Sequence, residues 1–98
     1  MPAYHFTEDA IEDLNGIWLY TFDTWLLEQA DRYYQLLIDE CEFIARHPDK
    51  GKSMEYIKKG YRAAKVKSHI IFYKTTKDDM VEIVRILHHQ MDVESRLR

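Results

Sequence analysis

The sequence has little of what marks linkers, disulfide frameworks or membrane segments. Three glycines and two prolines in 98 residues argue against flexible linkers and low-complexity tails. A single cysteine, Cys41, cannot form an internal disulfide, and its place on an apolar helical stripe predicts a buried, unreactive thiol. No apolar run approaches the ~18 residues of a membrane span, and the N-terminus lacks a signal-peptide pattern. We therefore expect a single domain over residues 1–98, located in the cytoplasm and without membrane contact.

What is present is enough apolar mass for a folded core, since 46% of the residues are hydrophobic and 13% aromatic. The net charge is −3, but acidic and basic residues are unevenly distributed along the chain. Residues 1–49 carry two basic and eleven acidic residues, a balance of −9, whereas residues 50–98 carry twelve basic and six acidic residues, a balance of +6. The basic half indicates an anionic partner, and the alternative is that solvated faces happen to segregate by charge.

The first half has the periodicity of a helical hairpin. A strand is predicted from Ala3 to Phe6, and Thr7 is placed to cap the helix that follows. The spacing i, i+3, i+4 predicts that this helix buries Ala10, Ile11, Leu14, Ile17, Trp18 and Thr21. A second helix, capped by Asp23 or Thr24 and ended by Pro48, is predicted to bury Leu26, Ala30, Tyr33, Tyr34, Leu37, Cys41, Ile44 and Ala45. The short connection makes the two helices antiparallel.

After Gly51 the period changes to that of strands. The segments "GYRAAKV", "HIIFYKTT" and "MVEIVRIL" are rich in β-branched and aromatic residues and are separated by short turns at Lys67-Ser68 and "KDD". They predict a three-stranded antiparallel meander that the N-terminal strand joins, with "MDVESRLR" forming a short final helix. The fold class is therefore α+β with the order β-α-α-β-β-β, an antiparallel sheet covered on one face by the helical hairpin.

The histidines do not form a pattern typical of a metal site. His88 and His89 are adjacent, so on a strand they should point to opposite faces, and His5, His47 and His69 belong to separate elements. We expect neither a metal nor another cofactor.

Ribonuclease chemistry is a stronger hypothesis. It requires an acid, a base and cations beside the phosphate, and His89 (or His88), Arg62 and Arg85 are of the right types. The alternative is that Arg85, which lies in an apolar strand, is a structural arginine that pairs with a carboxylate.

Four segments carry a family resemblance and cover almost the entire chain: "FTEDAIEDLNGIWLYT", "HPDKGK", "GYRAAKVKSHIIFYKTT" and "VEIVRILHHQMD". In this order the chain resembles a ParE-type toxin of the RelE/ParE superfamily, the toxic halves of bacterial type II toxin–antitoxin pairs, some of which serve plasmid stabilisation. The resemblance implies the same β-α-α-β-β-β fold that periodicity indicates.

The resemblance also implies a choice between two functions. RelE-type members cut mRNA on the ribosome, whereas ParE-type members inhibit DNA gyrase. The nucleases place an arginine early in the "HIIFY" strand, where this chain has Ile70, although His89 lies close to the position of a histidine in some nucleases. We interpret "RILHHQMD" as a core-and-surface signature and expect no catalytic residues. An mRNA endonuclease that uses Arg62, Arg85 and His89 is the alternative.

Two partners follow from the resemblance: DNA gyrase, and a ParD-like antitoxin that would form a hetero-oligomer with the toxin. Direct binding of nucleic acid without gyrase is not expected. The candidate contact residues are the basic side chains of the second half and the tail: Lys58, Lys59, Arg62, Lys65, Lys67, Arg96 and Arg98.

Overall fold

The computed structural model describes residues 4–97, and its elements follow the predicted order β-α-α-β-β-β with three short additions, of which the final helix was also predicted. Ala3 and Arg98, which were assigned to the first strand and to the contact surface, lie outside the described residues. The elements are β1 (Tyr4–Phe6), α1 (Glu8–Thr24), α2 (Leu27–Arg46), a 3₁₀ turn (Pro48–Lys50), β2 (Lys52–Ser53), β3 (Arg62–Val66), β4 (His69–Thr75), β5 (Val81–His88) and α3 (Val93–Leu97).

The sheet has the strand order β1-β5-β4-β3-β2 and is mixed rather than antiparallel. The predicted meander β3-β4-β5 is antiparallel. β1, however, pairs with β5 in parallel, with Tyr4 opposite Val81 and Phe6 opposite Ile83, so the prediction of a wholly antiparallel sheet was wrong at this edge. Parallel pairing is open to β1 because a long connection separates it from β5. β2 was not predicted, because two residues are too few to show a period.

Thr7 joins the start of α1 to the sheet. Its side-chain oxygen accepts a hydrogen bond from the Ala10 amide (3.1 Å), as predicted for an N-cap, and the same hydroxyl donates to the Val84 carbonyl (2.7 Å). The Thr7 amide also donates to the Ile83 carbonyl (3.0 Å). One residue therefore satisfies an orphan helix donor and sets the position of α1 over β5.

The turn of the helical hairpin differs from its prediction. α1 continues through Asp23 and ends at Thr24, so neither residue can cap α2. The N-cap of α2 is Leu26, whose side chain makes no capping hydrogen bond. An aspartate or threonine at this position would satisfy one of the free amides of the first turn. The start of α2 is thus not optimised for helix stability.

The first of two hydrophobic clusters lies between the hairpin and the sheet. Leu14, Leu37 and Ile44 are buried in it as predicted, and Cys41 is fully buried there. The prediction that Cys41 is buried is confirmed, and burial raises the pKa of its thiol to about 12. The hairpin therefore covers one face of the sheet.

The helical faces that were predicted to be buried are narrower in the structure, because several residues at their margins are exposed. Ile11 is 46% exposed, Leu26 69% and Tyr34 37%, against the prediction of burial. Ile17, Trp18, Thr21 and Tyr33 are only partly buried. Leu26 lies at the hairpin turn outside both helices, and Ile11 is rotated by one residue from the fully buried Ala10. Apolar spacing alone does not tell how much of a face its neighbours will cover.

The second hydrophobic cluster lies on the other face of the sheet. Phe72 and Leu87 of the central strands pack there against Met54, Tyr61 and Leu97. Leu97 belongs to α3, so the predicted C-terminal helix forms and contributes to this cluster. The face opposite the hairpin is thus partly covered by α3 and by the segment between β2 and β3.

Candidate functional site

Arg85 is engaged in a structural ion pair. Its Nε and Nη2 donate to the two carboxylate oxygens of Asp13 at 2.8 and 2.9 Å, and the amide of Ile86 donates to the same carboxylate at 2.9 Å. Both side chains are largely covered, with exposed fractions of 19% and 14%. These hydrogen bonds to Asp13 raise the pKa of Arg85. Arg85 fastens β5 to α1, which confirms the alternative of a structural arginine.

Arg62 is also bound to the protein itself. Its guanidinium donates to the carbonyl of Gly51 at 2.8 Å and to that of Asp49 at 3.4 Å, which ties β3 to the turn after α2. The same turn is held by Tyr73, whose hydroxyl donates to the Pro48 carbonyl (2.8 Å) and accepts from the Gly51 amide (2.9 Å). Arg62 is half-buried, and its hydrogen bonds hold the turn at residues 49–51 against β3.

Three histidines meet where β4 and β5 lie side by side, and sequence reasoning missed this cluster. His69 lies opposite His88 in the sheet, with ring centroids 5.3 Å apart, and the rings of His88 and His89 stack at 4.6 Å. His69 lies on a different element from His88 and His89, as predicted, but the pairing of β4 with β5 brings its ring to His88. The prediction that His88 and His89 point to opposite faces was wrong. β5 ends at His88, so His89 lies in the following turn and does not obey strand alternation. The sequence could have predicted this cluster only through the register of the β4–β5 hairpin, which pairs residue 69 with residue 88.

Hydrogen bonds restrict the chemistry of this cluster. The Gln90 amide donates to Nδ1 of His88 (3.1 Å), so this nitrogen accepts and the neutral ring carries its proton on Nε2. Nδ1 of His69 is paired with the Tyr33 hydroxyl at 2.7 Å. Among residues 4–97, no group of three or more His, Cys, Asp or Glu side chains is arranged to hold a metal ion.

The three residues of the nuclease hypothesis do not converge. Arg62 lies at the end of β3 remote from the histidines, because Val66, four residues on, is the partner of His69. Arg85 and His89 are likewise four residues apart along β5 and the start of its turn. Four residues of strand span about 13 Å, and both arginines are held by other groups. The arrangement brings no acid, base and cation to one point.

Most of the basic candidates that the structure describes lie around the β2–β3 edge of the sheet, whereas Arg96 is on α3, where its carbonyl accepts from Arg85 of β5. Lys58 and Lys59 are exposed in the loop between β2 and β3, Lys65 is exposed on β3 and Lys67 in the turn that follows. Arg96 is exposed on α3. Residues 50–77, which form β2, β3 and β4 with their connections, contain nine basic residues and one acidic residue. We call the exposed lysines at positions 58, 59, 65 and 67 the basic edge.

A second surface, at the turn between α1 and α2, is apolar and exposed. We call this surface the hairpin tip; its residues are Leu19, Tyr20, Phe22, Trp25, Leu26 and Leu27, all exposed. Next to it, a groove of about 550 Å³ between the two helices is lined by Asn15, Trp18, Leu19, Asp31 and Tyr34. Contiguous exposed apolar groups of this kind mark interaction sites. The sequence "FDTWLL" contained this signal, which the helical periodicity obscured.

None of the helices described over residues 4–97 is long and apolar enough to cross a membrane.

Comparisons with known proteins identify the fold and the family. The family model described as the ParE toxin of the type II toxin–antitoxin system, parDE, matches residues 4–93. The chain belongs to the ParE toxin family. It is 37% identical over 97 residues to Toxin ParE1 of Caulobacter vibrioides, and the match covers 99% of both chains. Toxin ParE1 of Mycobacterium tuberculosis is 36% identical over 84 residues, 86% of each chain.

The remaining similarities agree with this assignment. Toxin ParE of Escherichia coli is 32% identical over 97 residues, which is 99% of this chain and 94% of that toxin. A solved structure of the chromosomal ParDE TA system from P. aeruginosa has a TM-score of 0.76 and 18% sequence identity, and covers 90% of this chain and 96% of its own. The α+β arrangement of this ParE toxin is therefore a fold known from a solved toxin–antitoxin system.

Proposed function

We propose that this ParE toxin acts by binding DNA gyrase and stalling it on cleaved DNA, with no chemistry of its own. The observation that carries the proposal is the engagement of both candidate arginines: Arg85 is held by Asp13, and Arg62 by the carbonyls of the 49–51 turn. The lysines of the basic edge, in contrast, are exposed. Surface complementarity to an enzyme that holds DNA needs only such groups.

The test compares the two targets in purified systems. The wild-type chain should block gyrase supercoiling and increase cleaved DNA, while ribosome-bound mRNA stays intact. The double substitution Lys58→Glu/Lys65→Glu should weaken gyrase inhibition by about tenfold or more, because like charges would oppose the anionic target. Arg32→Glu, an exposed charge reversal on α2, is the matched control and should inhibit as the wild type does. mRNA cuts that vanish with His89→Ala would overturn the proposal and establish the nuclease.

We further propose that a ParD-like antitoxin neutralises the toxin in a hetero-oligomer by covering the hairpin tip. Supporting this are the six exposed apolar side chains of the tip and the adjoining groove between α1 and α2. An apolar helix that lies in a groove is a common mode of peptide recognition. The toxin–antitoxin pair would act in the cytoplasm.

The hairpin tip gives this second proposal its own test. Trp25→Ser/Leu26→Ser removes two exposed apolar side chains from the turn, so we expect it to weaken the antitoxin by about 100-fold, as for two interface anchors. Tyr56→Ser is a matched control, because Tyr56 is exposed on another part of the molecule. Antitoxin affinity should be measured by isothermal titration. Equal losses in the tip variant and the control would contradict the placement of the antitoxin.

A further inference from the structure

The loop between β2 and β3, residues 54–61, has a fixed shape. The Met54 amide donates to the Tyr61 carbonyl at 2.8 Å, and the Tyr61 amide donates to the Lys58 carbonyl at 3.2 Å. Gly60 has a left-handed φ of +83°, and its amide donates to the Glu55 carboxylate. Met54 and Tyr61 are buried in the second hydrophobic cluster. Internal hydrogen bonds therefore fix the 54–61 loop, and buried apolar side chains anchor it at both ends.

This loop presents one aromatic ring and two lysines to solvent. Tyr56 is 76% exposed, more than any other large apolar side chain described. Lys58 and Lys59 are exposed, and neither belongs to an ion pair within residues 4–97. The Nζ of Lys58 lies 5.7 Å from the centre of the Tyr61 ring, and that of Lys74 lies 5.9 Å from it. Two ammonium groups are thus held close to one ring.

The surroundings of the loop favour an anionic partner. Glu55 is the only acidic residue in the sequence between positions 50 and 77, and its carboxylate accepts a hydrogen bond from Gly60 inside the loop. Lys74 is shared with Glu82 across a distance of 3.6 Å, so it is only partly available. The 54–61 loop therefore carries a net positive charge, and its two lysines are exposed to solvent.

We propose that the 54–61 loop binds DNA directly, with Tyr56 stacking on an unpaired base and Lys58 and Lys59 contacting the flanking phosphates. Aromatic stacking beside cations is how proteins hold single strands without reading sequence. The proposal rests on the gyrase function, in which the toxin would meet cleaved DNA. It departs from the expectation that the chain does not bind nucleic acid without gyrase. It also adds Tyr56, which was not among the contact residues predicted from the sequence.

The chemistry of the loop favours DNA over other anionic partners. A membrane surface requires several apolar side chains on one side, whereas here Tyr56 stands alone and Ile57 is half-buried against the second cluster. A protein groove would cover an apolar anchor with further apolar contacts, whereas the exposed side chains that accompany Tyr56 in this loop are those of Glu55, Lys58 and Lys59. One exposed flat ring and two exposed lysines in the same short loop match one base and its neighbouring phosphates.

The first experiment uses the purified full chain and a fluorescent oligothymidylate of about 20 nucleotides, with fluorescence anisotropy as the readout. Binding should weaken as salt rises, and Lys58→Gln/Lys59→Gln should reduce the slope of log K against log salt by about 1.4. Tyr56→Ala should weaken binding by about 5- to 100-fold. Phe43→Ala, which removes an exposed ring from α2 outside both proposed binding surfaces, is the control and should have no effect.

Several results would overturn the proposal. These are no binding at low salt, an equal affinity of Tyr56→Ala and the wild type, or stronger binding to vesicles of anionic phospholipid that Tyr56→Ala abolishes. Thermal unfolding of each variant excludes misfolding as a cause.

A gyrase arm separates this proposal from the proposed function. If gyrase is the target and the loop contacts its DNA, Tyr56→Ala should bind gyrase in a pull-down but accumulate less cleaved DNA. If the wild type leaves gyrase unaffected, the proposed function is wrong. The oligonucleotide assay then still tests whether the 54–61 loop binds DNA. Undiminished DNA cleavage by gyrase with Tyr56→Ala would contradict the role of the loop in that complex.

Discussion

At the scale of single residues, the molecule uses its partly buried charges to join elements rather than to react. Asp13 illustrates this, because its two oxygens serve both Arg85 and the Ile86 amide. Removing the carboxylate would leave a guanidinium and a backbone donor without their partner. Leaving these donors unpaired lowers the free energy of unfolding by more than the intact ion pair contributes to it.

We predict that Asp13→Ala lowers the free energy of unfolding by about 2–4 kcal/mol, measured by urea denaturation. Glu12→Ala, which removes the exposed neighbouring carboxylate on α1, should change it by less than about 0.5 kcal/mol. If Asp13→Ala costs no more than Glu12→Ala, the ion pair does not hold α1 to β5.

His69 makes stability depend on pH. Its ring is partly buried and lies beside His88 and His89; burial first, and then these neighbours, lower its pKa from 6.5 to about 4, against a small opposing effect of Asp13. The unfolded chain therefore takes up this proton first as the pH falls. The stability linked to His69 is present above pH 6.5 and is lost progressively between pH 6.5 and 4.

We expect the free energy of unfolding to fall between pH 7 and 4.5, with His69 contributing on the order of 1 kcal/mol after allowance for solvent. Urea denaturation of His69→Gln should show a correspondingly flatter pH dependence. His47→Gln, at an exposed position outside the cluster, is the control and should follow the wild type. A His69→Gln profile parallel to that of the wild type would refute the assignment.

At the scale of elements, α2 is stabilised mainly by packing. Its N-cap makes no side-chain hydrogen bond, but Ala30, Leu37, Cys41 and Ile44 are buried along one stripe. Tertiary burial of an amphipathic face commonly outweighs local helix signals. The adjacent leucines 36 and 37 allow a direct comparison, since Leu37 is fully buried and Leu36 is 39% exposed.

Leu37→Ala should lower the free energy of unfolding by about 2–5 kcal/mol, because it removes apolar contacts and leaves a cavity in the first cluster. Leu36→Ala makes the same chemical change at the adjacent, partly exposed position and should cost less than about 1 kcal/mol. Chemical denaturation measures both. Equal losses would mean that the face assigned to the core is wrong.

The same scale separates what could be predicted from the sequence and what could not. Helical and strand periods predicted the hairpin, the meander and α3, because these patterns are local. β2 and the 54–61 loop depend on a pairing between Met54 and Tyr61 that no period reveals. The histidine cluster requires the register of β4 against β5. The exposure of Tyr34 and Leu26 depends on how far neighbouring elements reach.

At the scale of the whole molecule, the two helices of the hairpin carry most of the acidic excess, and β2, β3 and β4 with their connections carry most of the basic excess. The proposed antitoxin surface is the apolar hairpin tip of the acidic helices, and the proposed gyrase surface is the basic edge. The two proposed interactions should therefore respond differently to salt, because ions screen surface charges but not apolar contacts.

We predict that raising salt from about 50 to 200 mM changes antitoxin affinity by less than about threefold, whereas the concentration for half-inhibition of gyrase rises by about tenfold or more. Titration calorimetry measures the first quantity. Supercoiling assays, normalised to gyrase alone at each salt concentration, measure the second. Lys58→Gln/Lys59→Gln should flatten the salt dependence of gyrase inhibition and leave antitoxin affinity unchanged. An antitoxin that binds only at low salt would show that charge, and not the hairpin tip, holds the complex together.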